Sequence, residues 1–325
     1  MPNVQNDLPA QDFLADLTRL IGQVGPDQLL GIAFSGGTDS LALLLLAQAA
    51  LPGQVRAATV DHQLRSASAE EAAHCAIICK TLGIPHAILK PENAITGSVQ
   101  AAARAARYTL LFAWADQQQI DVILTAHHAD DQAETLMMRL NRGSGLAGLA
   151  GIRAINGPLV RPLLHWRRSQ LEGIVAASGF AALADPSNQD DQFDRARVRK
   201  ALAQAAWIEP KSLAKSASAL ADAEAALCWS VAQAADRHLC AGNGSITILA
   251  PAELPLEIQR RLLIQALTAA DSSCSPSGPE LMRLIATLLT GGKASIGALI
   301  GENRTGDWHF TKAPPRSARN AINSA

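Results

Sequence analysis

A chain of 325 residues that is 48% apolar can bury one large core and a second, smaller one, since single cores stop growing near roughly 250 to 300 residues. Its 28 basic and 29 acidic residues leave a net charge of -1, which excludes a uniformly basic nucleic-acid binder and allows only a local basic surface. The five cysteines, Cys75, Cys79, Cys228, Cys240 and Cys274, are odd in number and scattered, so they read as reduced thiols and not as a disulfide framework or a metal site.

The opening MPNVQNDLPAQDF has no basic start followed by an apolar block, and the longest apolar run, residues 41–46, is too short to span a bilayer. A soluble, cytoplasmic protein without membrane contact is expected. The oligomeric state is left open, a homodimer included.

Strand-like apolar runs then alternate with helical stretches. LLGIAF precedes a helix over 40–51, VRAATV a helix over 68–82, HAILK an Ala-rich helix over 98–119, and DVILTA a helix over 129–142. Strands that are apolar without alternation, in a βαβ rhythm, predict a parallel sheet with helices on both faces. Ligands of such sheets bind beyond the carboxyl ends of the strands, here after Phe34, Val60, Leu89 and Ala126. Residues 139–168 form a Gly-rich segment with six arginines and no acid, and a helix over 167–178 follows. DPSNQDDQFDRARVRK reads as a polar loop entering a helix, and 201–239 as an Ala-rich helical connector. Beyond it, SITILA, helices over 256–269 and 279–289, and the strand-like ASIGALI and DWHF suggest a small α+β appendage with a loose tail from 313. The expected division is a nucleotide-binding domain over 1–205, the connector over 206–241 and the small domain over 242–325.

Three stretches compete as phosphate loops. GSGLAG, 143–148, spells a dinucleotide fingerprint but follows a helix in place of a strand. GGKAS, 291–295, lacks the first glycine of a Walker loop and has Ala294 where a hydroxyl must reach magnesium. SGGTDS, 35–40, sits where the first strand hands over to the first helix of the sheet. There Gly36 and Gly37 let backbone N–H groups approach an anion, Ser35, Thr38 and Ser40 add hydroxyls, and the helix directs its positive end to the same place. Asp39 suits a magnesium ion bridging phosphates.

SGGTDS after a strand resembles the pyrophosphate loop, S-G-G-x-D-S, of the PP-loop (N-type) ATP pyrophosphatases, which split ATP between the α- and β-phosphates to adenylate a carbonyl oxygen. A second constellation, TAHHADDQAETLMMRLNRGSGLAGLAGI at 125–152, begins at the end of the fourth strand. If its helix starts near Ala129, Asp131 and Glu134 share one face, with His127 a turn back at the strand end. On the residues alone, helix-capping acids and ordinary loop histidines also fit, as does a transition-metal site. The whole string, however, resembles the signature of the tRNA(Ile)-lysidine synthetases. VDHQLR at 60–65, AARAARY at 102–108, VRPLL at 160–164 and DPSNQDDQFDRARVRK at 185–200 match the same family in order. The chain departs from the family pattern at Phe193, at Arg195-Ala196 and at Arg104-Ala105-Ala106.

The resemblance implies a ligase that uses ATP and magnesium to join free L-lysine to the wobble cytidine of an isoleucine tRNA. It further implies that Ser35, Gly36, Gly37, Thr38, Asp39 and Ser40 hold the pyrophosphate, with Asp39 on the metal. Asp131 and Glu134 would position the lysine ammonium, His127 and Arg107 would face the α-phosphate or the cytosine, and Arg199 or Arg195 would add a cation. Arg142, Arg153, Arg161, Arg167 and Arg168 are expected to offer the tRNA a positive face, with Trp166 beside them stacking on a base or anchoring a helix. A tRNA thiolase or an amidating synthetase of the same superfamily, and a non-catalytic ATP- and RNA-binding module, are the rival readings.

Overall fold

Strands covered on both faces read as near-continuous apolar runs without alternation, and such runs form the central sheet, with Arg56, Thr59 and His86 as polar exceptions. In the computed structural model, which describes residues 9–63, 67–91, 99–183, 194–242 and 244–313, α1 (Ala10–Ile21) precedes the pattern and is an addition to it. Then come β1 (Leu30–Ala33), α2 (Thr38–Ala50), β2 (Val55–Val60), α3 (Ser68–Leu82), β3 (His86–Leu89), α4 (Val99–Gln117), β4 (Val122–Leu124) and α5 (Ala129–Asn141), as the apolar periodicity predicts. The Gly-rich segment holds the short α6 (Leu146–Leu149) and a hairpin of β5 (Ile155–Asn156) and β6 (Leu159–Val160), followed by α7 (Arg168–Ser178) and α8 (Asp194–Gln204). Residues 185–193 and Arg65 of the family motifs lie outside the described residues.

The strand order is β3-β2-β1-β4-β6-β5. All neighbours are parallel except β5, which pairs antiparallel with β6 at the edge. The chain moves outward from β1 through β2 to β3, then returns to the other side of β1 at β4. That reversal makes the β1/β4 crevice the switch point at which ligands of open α/β sheets bind.

Two cores hold the sheet. On one face, α1, α2, α3 and α7 cover Leu30, Ile32, Val55, Ala57 and Leu124. On the other, α4 brings Leu111, Trp114 and Ala115 onto Ala58, Ile123 and Leu159. Gly31 makes the second contact close, because a Cβ there would lie 2.9 Å from Cζ3 of Trp114. Helix α2 is apolar all round and accordingly central: Leu41, Leu43, Leu44 and Leu46 are fully buried, each worth roughly 1.5 to 3 kcal/mol. The loop at its N-terminus therefore stands on a rigid support.

The described residues divide into two compact units, Met1–Ala221 and Asp222–Ala325. α9 (Pro210–His238) begins after a turn at 206–207, with Pro210 fixing its first turn. In the second unit, β7 (Leu239–Gly242), β8 (Ser245–Ile248), α10 (Leu256–Ala270), α11 (Gly278–Leu289), β9 (Lys293–Ile296), β10 (Leu299–Arg304) and β11 (Asp307–Lys312) form an antiparallel sheet of order β7-β8-β11-β10-β9. Trp308, Phe310, Leu299 and Ile248 on one sheet face pack against Leu262, Leu263, Leu284 and Leu288 of α10 and α11. The expected appendage is thus an antiparallel sheet backed by two helices.

Candidate active site

The glycine turn leaves the carboxyl end of β1 and enters α2. Gly36 has φ +80°, and a Cβ on it would lie 2.5 Å from Leu183 Cδ1 and 2.8 Å from Cys75 Sγ. Only glycine fits both the backbone and the space. Leu183 N–H donates to the Gly36 carbonyl at 2.9 Å. Inside the turn, Ser40 Oγ donates to the Gly37 carbonyl at 3.0 Å and accepts from Ser35 N–H at 3.2 Å. Since the Ser40 proton is used, Ser35 Oγ is the donor in the 3.1 Å contact between the two hydroxyls. Ser40 is buried and shapes the loop; Ser35 is exposed, and Gly37, Thr38 and Asp39 are half-buried at its rim.

Asp39 Oδ1 is buried without a hydrogen-bond partner, and Asp39 Oδ2 lies 3.4 Å from His128 Nε2. Burial opposes ionisation of Asp39, but the hydrogen bond and charge of His128, with the fields of Arg168 and Arg199, outweigh it and hold the carboxyl below its ordinary range. An ionised carboxylate with one orphaned oxygen beside a phosphate loop fits a magnesium ion. Among the described residues no three His, Cys, Asp or Glu side chains group as a metal cage.

Beyond β4 the chain crosses Thr125 and His127 and starts α5 at Ala129, with His128 as N-cap. His128 Nδ1 accepts from Asp131 N–H at 3.4 Å, while His128 N–H donates to Asp131 Oδ2 at 3.1 Å. This reciprocal cap places Nε2 between Asp39 Oδ2 and Asp131 Oδ2, 3.6 Å from the latter. Burial works against a charge on His128, but Asp39, Asp131 and Asp130 raise its pKa above the ordinary value. His127 behaves oppositely. Burial and the charges of Arg161, Arg195 and Arg104, against the opposing pull of Asp131, lower it to about 4. The Nδ1 of this neutral ring lies 3.0 Å from the Thr125 hydroxyl.

Asp131 and Glu134 do lie together on the inner face of α5, and both are buried. Two arginines of α8 bind them. Arg195 donates Nη2 to Asp131 Oδ1 and Nε to Glu134 Oε2, both at 2.6 Å. Arg199 donates Nε to Glu134 Oε1 at 2.6 Å. The hydrogen bond that Arg199 donates to Glu134 raises the Arg199 pKa; for Arg195, Asp131 and Glu134 more than offset its burial. Arg107 is exposed on α4, and its charge falls on His62, whose ring nitrogens are both buried without a hydrogen-bond partner.

Several residues need a different part. Asp130 accepts from Arg168 N–H at 2.9 Å and from Arg167 Nε and Nη2 at 3.2 Å each, so it pins α7 to α5. Trp166 is buried and donates to Asp16 at 2.9 Å, which makes it a helix anchor and excludes it as a base-stacking platform. The expected positive face is also largely neutralised. Arg142 pairs with Asp194, Arg167 with Asp130 and Glu209, and Arg168 with Glu172. Arg161 is not on the surface at all.

The PP-loop domain family model matches residues 9–206. A tRNA(Ile)-lysidine synthase from Novosphingobium aromaticivorans is 43% identical over 312 residues, 94% of each chain. The chain belongs to the tRNA(Ile)-lysidine synthase family. A second tRNA(Ile)-lysidine synthase, from Zymomonas mobilis, is 43% identical over 88% of this chain and 89% of its own. The U34-tRNA thiolase from Methanococcus maripaludis superposes with a TM-score of 0.55 at 16% identity, over 65% of this chain and 78% of that one, a likeness of fold alone.

For this lysidine synthase family member, the fold brings His128, Thr125 and Leu183, to which the motifs assign no part, against the residues of the two motifs. His128 carried a signal: it immediately precedes the first helical residue, the place of an N-cap. Leu183 carried none, since nothing local marks a residue that closes over a loop 147 positions earlier.

Proposed function

We propose that the chain joins L-lysine to C2 of the wobble cytidine of a CAU-anticodon tRNA(Ile), with ATP converted to AMP and diphosphate. The observation that carries this reading is the Asp39–His128–Asp131 bridge, which ties the phosphate loop to the acidic face of α5 in one crevice. The C2 carbonyl becomes reactive when its oxygen attacks the α-phosphorus and pyrophosphate leaves. The lysine amine then attacks C2, and AMP departs with that oxygen.

Loop 35–40 grips the departing pyrophosphate through its backbone N–H groups and the exposed Ser35 side. Asp39 would hold magnesium, which supplies charge neutralisation on the phosphates. Asp131 and Glu134 receive the lysine ammonium, and one of them takes the proton that the amine must lose to become nucleophilic. His127, neutral and fixed by Thr125, offers a hydrogen bond where charge develops. Arg199, whose field reaches Asp39, and Arg195 supply cations between the acids and the phosphates; Arg107 acts from the β2 side beside His62. The small domain, 242–325, would meet the body of the tRNA.

The test is direct. Purified protein, ATP, labelled lysine and a tRNA(Ile) transcript with cytidine at the wobble position should yield lysine-labelled RNA with AMP and diphosphate in equal amounts. A transcript with uridine there should stay unlabelled. RNA that gains no label in the presence of ATP would sink the proposal.

A further inference from the structure

Arg161 is the first residue beyond β6, which runs parallel beside β4, so it emerges at the same carboxyl edge as Thr125 and His127. The two strand ends are joined directly, with Thr125 N–H donating to the Val160 carbonyl at 3.0 Å. Of the six arginines in 139–168, Arg161 alone is buried, at 4% exposure. Among the described residues no carboxylate pairs with it. Its Nη1 donates to the Arg153 carbonyl at 2.6 Å, and its Nε is buried with no hydrogen-bond partner. Burial opposes its charge most, the charge and a side-chain hydrogen bond of Tyr108 favour it, and the like-charged Arg104 opposes it. Arg104 is exposed and lies over the Tyr108 ring, 5.1 Å from its centroid.

A guanidinium taken out of water without a counter-ion costs roughly several kcal/mol, and an apolar side chain of the same volume would fill the site at less cost. A second cation facing it adds repulsion. Both costs vanish when an anion enters, and a guanidinium with an unused donor suits an oxyanion. We propose that Arg161, with Arg104, forms an oxyanion pocket at the carboxyl ends of β4 and β6, and that a nucleotide phosphate supplies the missing negative charge. Two sources have this chemistry: the α-phosphate of ATP and a backbone phosphate of the tRNA beside the reacting cytidine. The pocket deepens the lysidine reading and rests on it for the identity of its ligand. The competing role is structural, a clamp from Arg161 onto the Arg153 carbonyl in the β5–β6 hairpin.

Arg161→Met keeps the volume and removes the charge. Binding of magnesium-ATP and of the tRNA transcript is measured separately, with the thermal midpoint of each protein. The midpoint should hold or rise, because an unpaired buried cation is gone, and one of the two ligands should bind roughly tenfold or more weakly. Weaker ATP with unchanged tRNA assigns the α-phosphate. Weaker tRNA, with the slope of log affinity against log salt reduced by about one, assigns the backbone phosphate. Unchanged affinity for both overturns the pocket, whatever the midpoint does. If Arg161→Met does not fold, Arg104→Met decides, since its exposed position spares the fold. It should weaken the same kind of ligand by roughly threefold to tenfold, and unchanged binding again overturns the pocket. Neither measurement needs turnover, so a wild type that binds both ligands yet forms no lysidine would remove the proposed function and leave the pocket standing.

Discussion

His128 Nε2 lies 3.4 Å from Asp39 Oδ2, joining residues 89 positions apart in the chain. The same ring caps α5 through Nδ1, so one side chain both starts a helix and holds the carboxylate of the phosphate loop. The two roles separate by substitution. His128→Ala removes both and should cost about 1 to 3 kcal/mol in denaturant unfolding, from the lost cap and an exposed helix end. His128→Asn restores a good N-cap and should recover most of that stability while ATP-dependent activity stays low. Equal stability of the two variants would remove the cap from the account.

Asp39→Asn keeps an oxygen facing His128 and deletes the charge. With Oδ1 lacking any protein partner, the charge is needed by a ligand more than by the fold. The variant should therefore lose only a little stability, from the weakened attraction to His128, and keep its tRNA affinity while tRNA-dependent ATP–pyrophosphate exchange falls by at least about a hundredfold. Retained exchange would take Asp39 out of phosphate chemistry.

Gly36→Ala tests the loop from the opposite side. The new methyl group would overlap Leu183 Cδ1 at 2.5 Å and Cys75 Sγ at 2.8 Å, at a φ of +80°. The expected outcome is a loss of about 1 to 3 kcal/mol in stability together with weaker ATP binding. Cys75→Ala in the same chain relieves one of the two overlaps, so partial recovery in the double variant is the confirming result.

The central sheet was legible in the sequence because β1 to β4 are mostly apolar runs without alternation, separated by helices long enough to cross over. The short hairpin of β5 and β6 was not, since two-residue strands have no period to read. The phosphate loop was marked by its place after β1 more than by its glycines, as the two rival glycine runs show. Asp131 and Glu134 were placed correctly on one face by their spacing of three. What spacing does not reveal is their partner: Arg195 and Arg199 arrive from α8, more than sixty residues away, and only the fold brings them in. Arg161 looked like one more surface cation in a run of arginines. Its burial follows from its position just past β6, a strand too short to be recognised.

His127 gives a pH signature with a definite sign. Its folded pKa is about 4 against an ordinary 6.5, so the native ring stays neutral where the unfolded ring takes up a proton. The associated stability is complete above about 6.5 and is lost as pH falls toward about 4, by at most about 1.4 kcal/mol per pH unit. His128 acts in the opposite sense: its raised pKa gives stability below 6.5 that is lost as pH rises through the folded value. Comparing wild type with His127→Gln cancels His128 and the carboxylates. The wild type should show the steeper loss between pH 6.5 and pH 4, and parallel curves would mean that His127 titrates normally.

The acid pair that should hold lysine already carries two guanidinium groups, Arg195 across Asp131 and Glu134 and Arg199 on Glu134. Two carboxylates facing two guanidiniums are balanced, so an arriving ammonium adds a third cation to a neutral set. It is accommodated if a guanidinium turns toward newly bound phosphates, and Arg199, whose field already reaches Asp39, is placed to do so. Nucleotide and lysine should then bind with positive coupling. In calorimetry, a non-hydrolysable magnesium-ATP analogue should lower the lysine Kd about tenfold, and lysine should tighten the analogue by the same factor, as linkage requires. Arg199→Met removes the surplus cation, so lysine should bind this variant comparably with and without nucleotide. Lysine affinity in the wild type that ignores the analogue would show that the two guanidiniums stay on the acids, and the ammonium would have to be received elsewhere in the crevice.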